Sequence, residues 1–129
     1  MIPAPLMSSQ RPALPKPVRG DVFGARLDPT EGSEQARTRP VVVVSRDSIN
    51  VNSPVVVVVP VADAANVKRL YPSQTQLPKG SGGLKMDSVA KAEQIRAIQV
   101  SRFVGYYGRL DRDALLRIEQ AIQITLALK

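Results

Sequence analysis

Two nearly uninterrupted valine runs, residues 41–44 and 55–59, separated by ten residues, constrain this chain more than any other feature. β-Branched side chains stiffen the backbone into an extended form, and a run without polar positions has no face suited to water. Both runs must therefore be strands packed between other elements. A ten-residue link is too short for a crossover helix, so the two strands are expected to be antiparallel, with residues 47–54 as a polar turn region. Pro40 holds Arg39 extended at the entrance to the first strand, read as residues 40–45, and Pro60 is expected to close the second.

The rest of the chain reads as short strands and turns around this pair. Residues 22–27 form a strand with imperfect alternation, broken by Asp28-Pro29-Thr30. Residues 62–69 are small and polar, a loop or one weak helical turn. Residues 73–77 fit an edge strand, and Gly80-Ser81-Gly82-Gly83 a flexible hinge or tight turn. Residues 88–91 and 93–98 read as two strands with a small break, residues 100–103 as one short helical turn, and Gly105 and Gly108 flank Tyr106-Tyr107. One helix is expected, at the end: Asp111 is its N-cap, and Leu115, Ile118, Ile122 and Leu126, with Leu116 beside them, make an apolar stripe for core or dimer packing. Five or six short strands with one C-terminal α-helix predict a mainly β, α+β domain built as a small half-open antiparallel β-barrel. Residues 1–18 hold five of the eleven prolines and no sustained apolar core, so they are expected to be a disordered Pro-rich tail rather than a signal peptide, with the domain spanning 19–129.

Composition narrows the chemistry. Eighteen Lys and Arg against eleven Asp and Glu give a net charge of +7, which favours a polyanionic partner, nucleic acid before membrane, since no basic amphipathic helix is present. Cysteine and histidine are both absent. A disulfide framework, a thiol nucleophile and a Cys/His zinc site are excluded, which fits a reducing cytoplasm. An enzyme of this composition must move protons with Glu, Asp, Arg, Lys, Tyr or a metal. The stretch from Gly32 to Pro40 is the best place for that chemistry, because it puts Glu34, Arg37 and Arg39 on a turn-rich loop running into a stiff strand. A guanidinium anchored on one side offers a planar fork of donors suited to a phosphate. The plainer alternative is a hairpin loop carrying solvated charges.

Taken in order, Arg19-Gly20-Asp21-Val22-Phe23, Leu27-Asp28-Pro29-Thr30-Glu31-Gly32-Ser33-Glu34-Gln35, Thr38-Arg39-Pro40-Val41-Val42-Val43, Val59-Pro60-Val61, Asp87-Ser88-Val89 and Glu93-Gln94-Ile95-Arg96-Ala97-Ile98 resemble the successive motifs of the MazF/PemK family. These are the toxin halves of bacterial toxin–antitoxin pairs, and the likeness runs from about residue 19 to residue 128. The resemblance implies an SH3-like barrel that forms a homodimer and a ribonuclease, without metal or other cofactor, that cuts single-stranded RNA, usually mRNA, at short sequences. It also implies a cognate acidic antitoxin laid across the RNA-binding groove, through which alone operator DNA is reached, and no membrane. Position by position, it makes Arg39 the catalytic arginine and puts Glu34 in the RNA-contacting loop, with Ser33, Gln35 and Arg37 beside it. Glu93 falls where some members have an aspartate assigned as general base, Lys91 where those members have an arginine, and Gln94 at a nucleotide contact. Ala62, next to Asp63, stands where many relatives carry a threonine whose hydroxyl contacts the scissile phosphate. Lys68, Arg69 and Lys79 are expected to extend the basic groove.

The implied reaction is chemically self-consistent. Attack of a ribose 2′-OH on the neighbouring phosphate leaves a 2′,3′-cyclic phosphate and a 5′-OH, and the RNA supplies the nucleophile. The protein must supply a base, cationic donors for the phosphate oxygens and a proton for the leaving oxygen. Arg39 can stabilise the phosphorane, and Glu34 or Glu93 can take the 2′-OH proton if its environment raises its pKa. The competing expectation is a catalytically weakened homologue that only binds nucleic acid or antitoxin, since the same barrel serves many functions.

Overall fold

The valine runs become the centre of an antiparallel sheet. The computed structural model describes residues 13–27 and 38–129. In these residues the strands are β1 (Asp21–Arg26), β2 (Thr38–Val43), β3 (Val55–Asp63), β4 (Gln74–Leu77), β5 (Ser88–Lys91), β6 (Arg96–Gln99) and β7 (Phe103–Arg109). The helices are α1 (Asp47–Asn52) and α2 (Arg112–Leu126). The strand order is β4-β5-β3-β2-β1-β7, with β6 also paired to β3. β4 and β7 end the order without meeting, so the sheet is a half-open barrel with a C-terminal helix, as expected.

Alternation explains why the runs are all valine. Val42, Val59 and Val61 enter one core with Val22, Leu77, Leu84 and, from α2, Ala114 and Ile118. Val41, Val43, Val56 and Val58 enter the other with Phe23, Ile98 and Phe103, where the Phe23 and Phe103 rings stack at 4.3 Å. Successive residues of one strand thus feed opposite cores, and neither face can be polar. Burial starts one residue into the second run, because Val55 is 38% exposed.

Several expectations are corrected. Residues 47–52 are a helix rather than a polar turn. The carboxylate of Asp47 accepts the Arg19 backbone N–H at 2.8 Å and the Asn50 amide at 3.1 Å, a partnership made by a residue 28 positions away. Pro60 does not end β3, which runs on to Asp63. Pro60 pairs with Val41 on one edge, while on the other edge the partner of β3 changes from β6 (Val58↔Arg96) to β5 (Val61↔Ala90). The register jumps there by three residues, the length of the 3-10 turn Ala92–Gln94, and the missing N–H of Pro60 falls at the changeover. Glu93 therefore sits on a turn, and the strand expected from residue 93 begins at Arg96. Tyr106 and Tyr107 lie in β7, a strand that its three polar or glycine positions hid from the pattern.

On α2 the Asp111 carboxylate accepts the Ala114 N–H at 2.8 Å, the expected cap. The buried face is Ala114, Ile118 and Ala121, with Leu115 and Ile122 half-buried and Leu116 and Leu126 exposed. Small alanines at i and i+7 bring the helix close to the sheet, which turns the outer part of the leucine stripe toward solvent. At the other end of the chain Pro17 is buried, and the Val18 N–H donates to Asp21 at 2.8 Å.

The glycine-rich segment is a tight turn, not a hinge. Gly83 has φ +81°, and a Cβ there would lie 2.1 Å from the Tyr107 carbonyl oxygen; at Gly82 it would lie 2.6 Å from Val22. Only glycine lets the 3-10 turn Ser81–Gly83 press against β7 and bury Leu84 behind it.

Candidate active site

Arg39 is exposed near the start of β2, where it pairs with Ala25 of β1 and is followed by Pro40 and three buried valines. Its backbone is thus held by a strand while its side chain is solvent-facing. Two cavities share it. The first, about 330 Å³, is bounded by Thr38, Arg39 and Pro40 of β2, Val61, Ala62 and Asp63 at the end of β3, Asn66, the segment Leu84-Lys85-Met86 with Ser88, and Tyr107 of β7. The second, about 490 Å³, is bounded by Leu27, Arg39, Pro60, Lys91, Gln94 and Arg96.

The end of β3 and the β5–β6 corner therefore meet at the start of β2. The changeover at Pro60 achieves this: β5 pairs with Ala62 and Asp63, β6 with the other half of β3, and the turn between them carries Gln94 to the second cavity. Of the residues singled out from sequence, Arg39, Ala62 and Asp63 share the first cavity, and Arg39, Lys91 and Gln94 the second. Ser33, Glu34, Gln35 and Arg37 lie outside the described residues. Lys68 and Arg69 are exposed on the segment after the 3-10 turn Ala64–Asn66 and line neither cavity.

Glu93 is not with this group. Its carboxylate accepts the Ser73 hydroxyl at 2.9 Å and the Gln74 amide at 2.8 Å, tying the Ala92–Gln94 turn to the start of β4. Burial pushes the Glu93 carboxyl up, but the hydrogen bonds from Gln74, its own backbone and Ser73, with the charge of Lys91, outweigh it, and the net shift is downward. A carboxylate so held is a poorer base than a free one. Asp63 is likewise engaged: it accepts the Ala65 N–H at 2.9 Å and caps the following 3-10 turn. Ala62 offers its cavity a methyl group.

The electrostatics favour an anion. Among the described residues the second cavity presents Arg39, Lys91 and Arg96 and no carboxylate, and the first presents Arg39 and Lys85 against the capping Asp63. Among the described residues the ion pairs are Arg19–Glu119 and Arg109–Asp21, so neither uses these cations. Asp21 is buried, receiving Arg109 at 2.8 Å and the Tyr106 hydroxyl at 3.4 Å. Burial and the nearby Asp21 charge push the Tyr106 phenol up, and its ring packs edge-on against Phe23 at 5.2 Å. Tyr106 is thus a structural tyrosine, and the aromatic ring at the site is Tyr107. Sequence reasoning did not place Lys85, Asn66, Arg96 or Tyr107 at the site. A lysine two residues after a glycine-rich turn was the available signal for Lys85, whereas Asn66 and Tyr107 carried none.

The family described as PemK-like, MazF-like toxin of type II toxin-antitoxin system matches residues 18–126. Endoribonuclease MazF9 of Mycobacterium tuberculosis is 37% identical over 115 residues, covering 85% of this chain and 96% of the relative. Endoribonuclease EndoA of Bacillus subtilis is 37% identical over 110 residues, covering 85% and 94%. Among solved structures, a MazE–MazF complex from Deinococcus radiodurans superposes with a TM-score of 0.74 at 23% identity, over 88% of this chain and 98% of the other. An endoribonuclease bound to its cognate antitoxin from a mycobacterial species gives a TM-score of 0.72 at 20% identity, over 88% and 97%. At such identities the structural likeness speaks for the fold.

Proposed function

The chain belongs to the PemK-like, MazF-like toxin family of type II toxin-antitoxin systems, and from that premise we propose that it is a metal-independent endoribonuclease that cuts single-stranded RNA, mRNA above all, at short sequences. The observation that carries the reading is the place of Arg39, shared by two adjoining cavities whose other cations are Lys85 on one side and Lys91 and Arg96 on the other. Such a track suits a chain of phosphates, with the scissile one at Arg39 and neighbours along the second cavity.

The 2′-oxygen attacks phosphorus, its proton passing to a carboxylate, and the bond from phosphorus to the 5′-oxygen breaks as that oxygen takes a proton from solvent water. Arg39 meets the growing charge on the equatorial oxygens with two parallel N–H donors, which strengthens as the phosphorane forms. Glu93 is committed to Ser73 and Gln74 and held acidic, so Glu34 is the proposed base. Gln94, with Ser33, Gln35 and Arg37, is proposed to contact the nucleotides flanking the cut, and Lys68 and Arg69 to extend the charge.

A homodimer and an acidic antitoxin peptide complete the proposal, supported by the surplus of positive charge and by exposed Ile124, Leu126 and Leu128 at the end of the chain. No helix among the described residues is long and apolar enough to cross a membrane, and a cytoplasmic location is proposed. The test is purified protein with end-labelled RNA in EDTA, with fragments analysed for 2′,3′-cyclic phosphate and 5′-OH ends. The methyl of Ala62 in the cavity favours one second reading, a weakened homologue that binds without cutting. Bound but intact RNA in that assay would select it.

A further inference from the structure

We propose that Lys85 is a second catalytic cation, its ammonium binding the scissile phosphate together with Arg39 from the other rim of their shared cavity. The inference rests on the ribonuclease reading above and adds a residue to it. Among the described residues Lys85 and Arg39 are the two cations lining that cavity, and they come from positions 46 apart in sequence. Among the described residues the carboxylates beside Lys85, Asp63 in the same lining and Asp87 two positions on, each accept a backbone N–H, from Ala65 at 2.9 Å and from Lys79 at 2.8 Å. Neither forms an ion pair with Lys85.

The segment that presents Lys85 is held on both sides. Leu84 is buried, its N–H donates to Ser81 and its carbonyl accepts from Gly80. Past Lys85, the Asp87 carbonyl accepts the Ala64 N–H, and the Ser88 hydroxyl donates to the Met86 carbonyl. Behind it Gly82 and Gly83 are pressed against Val22, Leu110 and Tyr107. A fixed backbone with an exposed, flexible four-carbon stem delivers charge to a defined region, and Lys85 has no ion-pair partner among the described residues.

The chemistry leaves room for such a group. Ala62 contributes no donor, Ser88 spends its hydroxyl on Met86, and the phosphorane needs more donors than one guanidinium supplies. Lys91 and Arg96 lie in the other cavity, where flanking phosphates keep the same charge throughout the reaction. Those two should act on binding and Lys85 on the chemical step.

The experiment uses the full chain and a short RNA with one cleavage site, under single-turnover conditions at saturating protein, with affinity measured on the same RNA carrying a 2′-deoxy nucleotide at the cut. Lys85→Ala is expected to lower the cleavage rate constant about 100-fold with affinity changed less than about threefold, and Lys85→Arg to restore most of the rate. Lys91→Ala is expected to weaken affinity for the 2′-deoxy RNA. A wild-type rate constant in Lys85→Ala, or a loss that disappears at saturating protein, overturns the inference while the ribonuclease reading stands on Arg39→Ala. A wild-type protein that cuts no RNA overturns both.

Discussion

Replacing Arg39 by alanine separates the catalytic argument from the structural one. The side chain is exposed and makes no hydrogen bond or ion pair with another described residue, so its removal forfeits little packing. Its neighbours around the two cavities, Lys85, Lys91 and Arg96, carry the same sign. At separations of about 10 Å in water each such repulsion is worth roughly 0.4 kcal/mol before screening, and physiological salt reduces it further. Relief of that repulsion offsets the small loss of strand propensity, and stability should stay within about 0.5 kcal/mol of wild type. For a domain of this size that is a shift of at most about 2 °C in melting temperature. The loss in catalysis is of another order: one donor to a developing oxyanion is worth about 2.7–4 kcal/mol, or about 100- to 1,000-fold in rate. Arg39→Lys should recover only part, since a point charge lacks the bidentate fork. Single-turnover cleavage of labelled RNA and thermal unfolding by circular dichroism measure the two effects separately. Near wild-type cleavage by Arg39→Ala would refute the catalytic assignment, and a drop of many degrees in melting temperature alongside lost activity would show that the residue acts through the fold.

Gly83→Ala should destabilise the protein by about 2 kcal/mol or more, because a Cβ would fall 2.1 Å from the Tyr107 carbonyl oxygen at a φ of +81°; an unchanged urea midpoint would disprove that contact. Ala62→Thr should raise the cleavage rate roughly tenfold or more by adding a hydroxyl donor to the cavity, with unchanged stability; no gain in single-turnover rate would mean that the phosphate does not reach this end of β3. Glu93 has its pKa lowered by folding, so its contribution to stability is present above the ordinary Glu value and is lost as pH falls through the folded one. Wild type should accordingly melt higher than Glu93→Gln at pH 6, with the gap closing toward pH 3, and a gap that widens on acidification would reverse the sign. RNA affinity should fall steeply with salt as counterions are released from contacts such as Arg39, Lys91 and Arg96, and a flat fluorescence-anisotropy titration between about 50 and 200 mM salt would argue for an uncharged ligand.

Local chemistry was enough for much of this protein. The valine runs demand strands with two covered faces, Asp111 caps a helix, and the ordered motifs around Arg39 mark the family, because each depends on residues adjacent in the chain. The failures occurred where a distant partner decided. Residues 47–52 became a helix with Arg19 bonded to Asp47, and β3 continued through Pro60 because its other edge exchanges β6 for β5 at that point. The site followed the same division. Arg39 is legible because Pro40 and the valines fix its backbone, and its type suits phosphate. Glu93 is equally suggestive in sequence, yet its carboxylate is bound by Ser73 and Gln74. Lys85 reaches the cavity because Gly83 lets the preceding turn lie against the Tyr107 carbonyl and Gly82 lets it lie against Val22 and Leu110. Residue type and neighbours set what a side chain is able to do. Long-range pairing and close packing set what it faces, and those depend on contacts that no local pattern encodes.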